Sequence, residues 1–326
     1  MTDAVNISSR VRLARNLREY PFPDRMSDAQ KAEVIEKVKA AVLNLSKKLL
    51  FVNLSELSEL DLVSMVERHL ISPEFADKQS GRALAVSEDE SVSIMINEED
   101  HLRIQVILPG LCVEEAYRIA EEIESELSLY LNFAFDRNLG YLTQCPTNLG
   151  TGMRASVMMH LCAMSETRTV PRIATNLQKL GIAIRGTYGE GTDATSSLYQ
   201  LSNQVTLGIS EAAAVENIRN IALQLSETEK LTRENLMQSM EYQDKISRSM
   251  GILLTARLIS YNEAVRLLSN VRLGICEGII DNVSIDTVDK LIVSIQPASL
   301  MRREGRKLSP QERDKVRAEL IKSTLR

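Results

Sequence analysis

The chain has 326 residues, 44% of them apolar and 25% charged, which suits one large or two ordinary globular domains and excludes a disordered or collagen-like chain. Its net charge of −5 argues against a general nucleic-acid binder, and no apolar run approaches the ~20 residues needed to cross a bilayer. Four scattered cysteines (Cys112, Cys145, Cys162, Cys276) and three scattered histidines (His69, His101, His160) give no C-x-x-C pair and no zinc spacing, so no protein-held metal is expected. The N-terminus lacks the basic and apolar regions of a signal peptide, and a reducing cytoplasmic setting is expected.

In chain order, residues 5–13 read as an extended segment, and Ser27–Gln30 is a capping box that opens a helix over 28–49. A helix over 56–69 follows, then strands near 83–86, 92–97 and 102–108, the middle one alternating as a half-buried strand does. Residues 113–132 read as a helix, 140–151 as a glycine-containing loop, and 153–165 and 172–179 as helices. Strands near 182–187 and 197–207 flank a loop over 188–195. This order predicts an α+β fold: an antiparallel sheet with helices on one face. Beyond residue 210 only helical stretches remain, over 211–225, 232–247, 249–258, 261–274, 284–294 and 309–324. A domain boundary is expected near residue 228, with an all-helical domain over 229–326.

Arginine outnumbers lysine by 26 to 13, and residues 301–326 carry a net charge of +5. Guanidinium groups grip phosphate and carboxylate in a bidentate manner, so their placement is informative. Arg10 and Arg12 alternate on a predicted strand and project from one face. Arg103, Arg154 and Arg185 are expected beside turns. Five converging arginines would repel one another unless they enclosed a polyanion, and a nucleoside triphosphate is the obvious one. Gly150 and Gly152 would let backbone approach a ligand just before a helix N-terminus that favours anions. Glu99 and Glu190 would supply counter-charge for a cationic substrate. Each feature alone is ordinary: an arginine pair on a strand is usually a solvated face, and a lone Gly-x-Gly is a weak signal.

Together the segments N-E-E-D-H-L-R (97–103), C-P-T-N-L-G-T (145–151) and R-G-T-Y-G-E (185–190) resemble the catalytic domain of the phosphagen kinases over residues 6–225. The closer resemblance is to the McsB group of bacterial protein arginine kinases. The S-x-R-V-R strand begins at Ser8 with no helical domain before it, and a helical C-terminal region follows that phosphagen kinases lack. That region contains Arg313-Asp314-Lys315-Val316-Arg317-Ala318, matching the R-D-x-x-R-A segment with which the group binds phosphoarginine. The resemblance implies an ATP site formed by Ser8, Ser9, Arg10, Val11 and Arg12, by Arg103, by Arg154, Ala155, Ser156, Val157 and Met158, and by Arg185, Gly186, Thr187, Tyr188, Gly189 and Glu190. It adds Arg82 near the phosphates and His69 beside the adenine. His101 is expected to be structural, and His160 has no evident role. Tyr188 stands where arginine kinases have Arg, and Met158 where several phosphagen kinases have His.

The implied reaction moves the γ-phosphoryl group of ATP to a guanidinium nitrogen of a protein arginine. Glu99 and Glu190, with Glu98 as a helper, would lock the guanidinium in line and accept its proton, and Cys145 as a thiolate would sit near it. Mg²⁺ would be carried by ATP. Arg313, Asp314 and Arg317 would hold a phosphoarginine, docking tagged proteins or stimulating the kinase. The implied partners are protein substrates with surface arginines, the ClpC–ClpP protease, the repressor CtsR, the activator McsA and a second copy in a homodimer. Nucleic acid and membrane are not among them. Two alternatives stand beside this: a kinase of free arginine or another small guanidine, and a phosphoarginine-binding adaptor without turnover.

Overall fold

A computed structural model describes residues 4–186 and 196–326. Strand β1 (Asn6–Arg15) leads through α1 (Asp28–Val42), whose Ser27–Gln30 capping box forms, into the short strand β2 (Leu50–Asn53). Helices α2 (Glu59–Glu67) and α3 (Pro73–Ala76) precede strands β3 (Ala83–Val86), β4 (Val92–Ile96) and β5 (Leu102–Pro109). Then come α4 (Val113–Ser128), the small hairpin of β6 (Phe135–Asp136) and β7 (Gly140–Tyr141), and strand β8 (Met153–His160). Helices α5 (Cys162–Glu166) and α6 (Val170–Lys179) and strands β9 (Ile182–Gly186) and β10 (Leu198–Asn203) complete the α+β part.

Eight strands form one sheet in the order β2-β3-β4-β5-β1-β8-β10-β9, every pairing antiparallel. Helices α1, α4 and α6 bury their apolar faces on one side of it, in the main core with Val11, Leu13, Ile104, Ala155 and Val157. The sequence predicts helices on one face only. The structure adds a second, smaller cluster on the opposite face, where Leu62 of α2 and Phe75 of α3 cover Leu84, Val86 and Met95. The lid reaches β5 at the buried Gln105, which donates to the His69 carbonyl at 2.9 Å, and beyond it a groove lies along the same face of β5, β1 and β8.

The segment 153–165, predicted as one helix, is strand β8 followed by the short helix α5. Its methionine, alanine and leucine content favours a helix locally, but the side chains alternate: Met153, Ala155, Val157 and Met159 are buried while Arg154 and Met158 are half-exposed. Pairing with β1 on one edge and β10 on the other decides the outcome, as tertiary context overrides propensity. No helix N-terminus therefore follows the glycine loop. Gly150 has φ +111°, and a Cβ there would lie 2.2 Å from the Thr206 carbonyl oxygen; a Cβ on Gly152 would lie 2.7 Å from that of Ala14. These glycines serve close approach of the chain to itself.

The predicted helix break near residue 228 falls inside a continuous helix, α7 (Glu211–Leu236). Within 226–235, Ser226, Glu229 and Arg233 are buried and hydrogen-bonded. The Glu229 carboxylate accepts the Ala163 and Met164 N–H groups at 3.0 Å each, capping α5, and the Arg233 Nε–H at 2.7 Å. The remaining helices are α8 (Met240–Thr255), α9 (Tyr261–Cys276), α10 (Ile285–Ser294), α11 (Pro297–Glu304) and α12 (Pro310–Leu325), around their own apolar cluster. The predicted stretches 232–247 and 249–258 are thus the end of α7 and the whole of α8, and α11 was not anticipated. His160 lies on the seam, its Nε2 2.7 Å from the Ser269 hydroxyl and its Nδ1 facing Arg233 and Arg272. Its role is to join the sheet to the helical region.

Gly150→Ala should lower stability by about 3 kcal/mol, from left-handed strain plus overpacking against Thr206. A urea midpoint unchanged from wild type would contradict this account of the loop.

Candidate active site

Directly opposed residues in an antiparallel pair share a face. Arg12 stands opposite Gln105 of β5 on one side and Arg154 of β8 on the other. Arg10, two residues away on the same face, stands opposite Ile107 and Ser156, and Ala14 stands opposite Arg103. Four arginines from three adjacent strands therefore occupy the open face. Arg185 on β9 shares that face further out, opposite Gln200, which in turn pairs with Met158. Arg103, Arg154 and Arg185, expected beside turns, are all held by strands, and the register brings the cluster together.

The period of two corrects the contiguous reading of both motifs. Ser8, Arg10, Arg12, Arg154, Ser156 and Met158 face the open side. Val11, Ala155 and Val157 are core residues, and Ser9 faces backwards, donating to the Gly110 carbonyl at 2.8 Å and accepting the Cys112 N–H at 2.9 Å. Gly186 pairs with the core residue Tyr199. Thr187, Tyr188, Gly189 and Glu190 lie outside the described residues.

Burial first, then the charges of Arg103 and Arg154, push the Arg10 guanidinium down to about 10. Arg12 is driven well below its ordinary value by burial, then by Arg10, Arg103 and Arg154. Arg154 is lowered by burial, then by Arg185 and Arg103. Among the described residues no carboxylate forms an ion pair with Arg10, Arg12 or Arg154, and the Arg12 Nε–H is buried without a partner. Half-buried like charges without counter-ions are unfavourable alone and become favourable around a polyanion.

Arg103 is the exception: its Nη1 donates to both Glu98 carboxylate oxygens, at 2.7 and 2.6 Å. Glu98 also accepts the Ser72 hydroxyl from the loop before α3. The β4–β5 turn that carries Glu98 and Glu99 is pinned at several points. Asn97 adopts φ +62° and donates its side-chain amide to the Lys31 and Gly81 carbonyls at 3.1 and 3.0 Å. Asp100 accepts Asn16 Nδ2 at 2.6 Å and the Gln144 N–H at 2.8 Å. The buried His101 accepts the Leu17 N–H on Nδ1 at 3.0 Å, so its proton sits on Nε2, 3.0 Å from the Pro21 carbonyl. With the turn fixed, Glu99 is left exposed. Burial first, then Asp100 and Glu98, raises its carboxyl above the usual range, and Cys145 lines the same cavity. Cys145 Sγ is also 3.1 Å from the Thr147 hydroxyl.

Three adjoining hollows make one groove on this face. At one end a cavity of about 190 Å³ is lined by Arg12, Arg154, Glu98, Glu99 and Cys145, with Thr147 and Asn148 on its rim. Through Arg12 and Arg103 it continues into a space of about 390 Å³ bordered by Arg10, Gln105, His69 and Gln296. Through Arg10 and His69 that space meets a small hollow of about 90 Å³ between Ser8, Ile107, Ser156, Met158 and Gln200. His69 has φ +62°, and burial, then Arg10, lowers it to about 4, so its ring is neutral at ordinary pH. Arg82, expected near the phosphates, is directed elsewhere: it donates to the Glu74, Phe75 and Asn97 carbonyls at 2.6, 2.9 and 3.1 Å, bracing α3 against the turn.

The R-D-x-x-R-A segment lies on α12. Ala318 is buried, Val316 is partly buried against the apolar cluster of the helical region, and Lys315 is exposed. Arg317 is 2% exposed and committed: it donates to the Ile295 and Ile259 carbonyls at 2.9 Å each and to Asp314 at 2.6 Å. It therefore holds Asp314 in place, whereas Arg313 and Asp314 remain partly exposed. Gln105, Ser72 and Gln296 border the groove outside every quoted segment, and Thr147 and Asn148 border it from within the 145–151 segment. Gln105 is legible as the next same-face position after Arg103, but Gln296 carries no sequence signal. Among the described residues no group of three His, Cys, Asp or Glu side chains is arranged to hold a metal, and no helix is long and apolar enough to cross a membrane.

The family model of the ATP:guanido phosphotransferase C-terminal catalytic domain matches residues 33–232, and that of the protein-arginine kinase McsB C-terminal domain matches 239–326. The chain is 46% identical to a protein-arginine kinase of Symbiobacterium thermophilum, over 98% of this chain and 92% of that one. It is 45% identical to another of Brevibacillus brevis, over 98% and 91%. The structure resembles a lombricine kinase with TM-score 0.62 at 26% identity, over 70% of this chain and 67% of that one. It also resembles a duplicated taurocyamine kinase of Schistosoma mansoni with TM-score 0.66 at 24% identity, over 87% of this chain, which spans about half (49%) of that one. The chain belongs to the ATP:guanido phosphotransferase family, in the protein-arginine kinase group.

Burial lowers His101 to about 4, whereas the unfolded chain binds that proton near its ordinary value of 6.5. Between those values the unfolded state holds more protons, so stability is full above pH 6.5 and falls on acidification toward 4, by about 3 kcal/mol from this ring. Titration of the ring by NMR should show it neutral at pH 6; a midpoint near 6.5 would contradict the assigned role.

Proposed function

We propose that this protein transfers the γ-phosphoryl group of ATP to a guanidinium nitrogen of arginine side chains in proteins. The observation that carries the reading is a row of half-buried arginines, Arg10, Arg12 and Arg154, with no ion-paired carboxylate among the described residues, ending beside Glu98 and Glu99. A triphosphate along Arg10, Arg12, Arg154 and Arg103 supplies the missing counter-charge, and its terminal phosphorus then lies toward Glu98 and Glu99. His69 and Met158, at the other end of the groove, border the space for the base. Mg²⁺ would come with the triphosphate and neutralise its oxygens; the guanidinium groups suit such a ligand, and among the described residues the site offers no carboxylate cage of its own.

A guanidinium is a poor nucleophile because its nitrogen lone pairs are delocalised and its proton is tightly held. Glu99, exposed at the acidic end, accepts N–H groups of the incoming arginine and orients it in line. The N–P bond forms, the bond from phosphorus to the bridging oxygen of ADP breaks, and the proton leaves to a carboxylate. A carboxyl raised above its usual range is a better acceptor for it. Glu190 is proposed as the second carboxylate. Glu98, already bound to Arg103, holds that arginine in place and is the weaker candidate for proton transfer. Cys145, which lines the same cavity, is proposed to sit near the incoming guanidinium.

The choice of protein arginines over free arginine rests on the relatives' printed activity and on the R-D-x-x-R-A segment. Asp314 is proposed to pair with the guanidino N–H groups of a bound phosphoarginine and Arg313 to meet its phosphoryl group, with Arg317 holding Asp314. Residues 1–228 are taken as the catalytic domain and 229–326 as the phosphoarginine-binding one. A cytoplasmic stress-response setting, a homodimer, and ClpC–ClpP, CtsR and McsA as partners follow from the resemblance alone.

The test is incubation with MgATP and either casein or free L-arginine, with phosphoarginine read by phosphorus NMR and by mass spectrometry under non-acidic conditions. Phosphoarginine on protein is expected, with Glu99→Gln lowering kcat by roughly a hundredfold or more. Product on free arginine alone would replace the proposal with a small-guanidine kinase; ATP binding without any product would leave an adaptor.

A further inference from the structure

The groove's largest space is walled in part by the C-terminal helical region. Glu67, the last residue of α2, directs its carboxylate onto the start of α11. Its Oε1 accepts the Ala298 N–H at 2.7 Å, and its Oε2 accepts the Ser299 N–H at 2.8 Å and the Ser299 hydroxyl at 2.9 Å. Helix α11 has no side-chain cap of its own and starts with Pro297, which lacks an N–H, so these are its first free donors. A carboxylate placed there meets both the donors and the positive end of the helix dipole. In return Gln296, 5% exposed, donates its side-chain amide to the Glu67 carbonyl at 3.0 Å. Glu67 and Gln296 both border the space shared with Arg10, Arg12 and His69.

The same corner is held from its far side, where Arg317 donates to the Ile295 carbonyl at 2.9 Å. Two residues beyond Glu67, His69 adopts a left-handed backbone that non-glycine residues rarely take. Its carbonyl accepts Gln105 Nε2 at 2.9 Å. The segment 67–69 is thus clamped between the sheet and the helical region, with the His69 ring over the groove.

We infer that Glu67 and Gln296 are positioning residues for the nucleotide, and that the C-terminal region is a working wall of the nucleotide groove. The inference rests on the reading of the groove as an ATP site. Losing the Glu67 charge frees α11 from the segment and lets His69 leave its place, which weakens nucleotide binding without touching the acceptor end.

The test uses the full chain, with ATP titrated by calorimetry and steady-state rates measured against ATP and acceptor separately. Glu67→Gln should raise both the Kd and the KM for ATP about tenfold, a charge-assisted bond's worth, while kcat and the acceptor KM stay within about twofold. Gln296→Ala and Ser299→Ala, which keep the carboxylate, should give the same pattern more weakly, and they decide the matter if Glu67→Gln does not fold. Wild type that binds ATP alongside folded variants that bind it equally well would overturn the inference alone. A fall in kcat with an unchanged KM would also overturn it, since a merely structural role has that signature. Wild type that binds no ATP would remove the nucleotide reading and this inference with it.

Discussion

The arrangement depends on one electrostatic constraint. Arg10, Arg12 and Arg154 are set side by side on the open face of a sheet, half-buried and without paired carboxylates among the described residues. Backbone pairing enforces this: Arg12 and Arg154 are directly opposed across two central strands and cannot separate without breaking the ladder. The core on the reverse face, rich in aliphatic side chains, holds the charges in place. A single Arg103–Glu98 pair provides local relief, leaving the other arginines short of negative charge. A site of this kind is preorganised for a polyanion, because its repulsion is already present before the ligand arrives.

The acidic end is organised by different means. The turn over 97–101 is fixed through Asn97, Asp100 and His101. Their bonds to Lys31, Gln144 and Leu17 place Glu98 inward and Glu99 outward, so neighbouring carboxylates have distinct surroundings and distinct tasks. Glu98 completes an arginine; Glu99 is held back from ionising as readily and stays free for a substrate.

Much of this was legible in the sequence, because Arg10 and Arg12 are two residues apart in an extended run and the motif segments are long. The antiparallel sheet and the C-terminal helices followed from periodicity. What could not be read is register. Arg103 and Arg154 were assigned to turns because nothing local shows which residue of another strand they oppose. Residues 153–165 were assigned to a helix because strand pairing, not propensity, decides there. Ser9, Val11, Ala155 and Val157 fell to the core side for the same reason. Long-range commitments were equally hidden: Arg317 is tied to the Ile259 and Ile295 carbonyls, Arg82 to those of residues 74 and 75, and Glu67 to residues more than two hundred positions away. The continuity of α7 past residue 228 was hidden because the burial of Glu229 and Arg233 depends on α5.

The central claim is that unpaired arginines, rather than the space for the base, supply the groove's affinity for its ligand. Calorimetric titration of the full chain with ATP, ADP and AMP at one ionic strength tests it most directly. Each lost phosphate removes charge-assisted contacts, so affinity should fall by about tenfold per step. ATP and AMP binding within about threefold of each other would contradict the claim, since one further tenfold step is the least that a guanidinium contact should contribute.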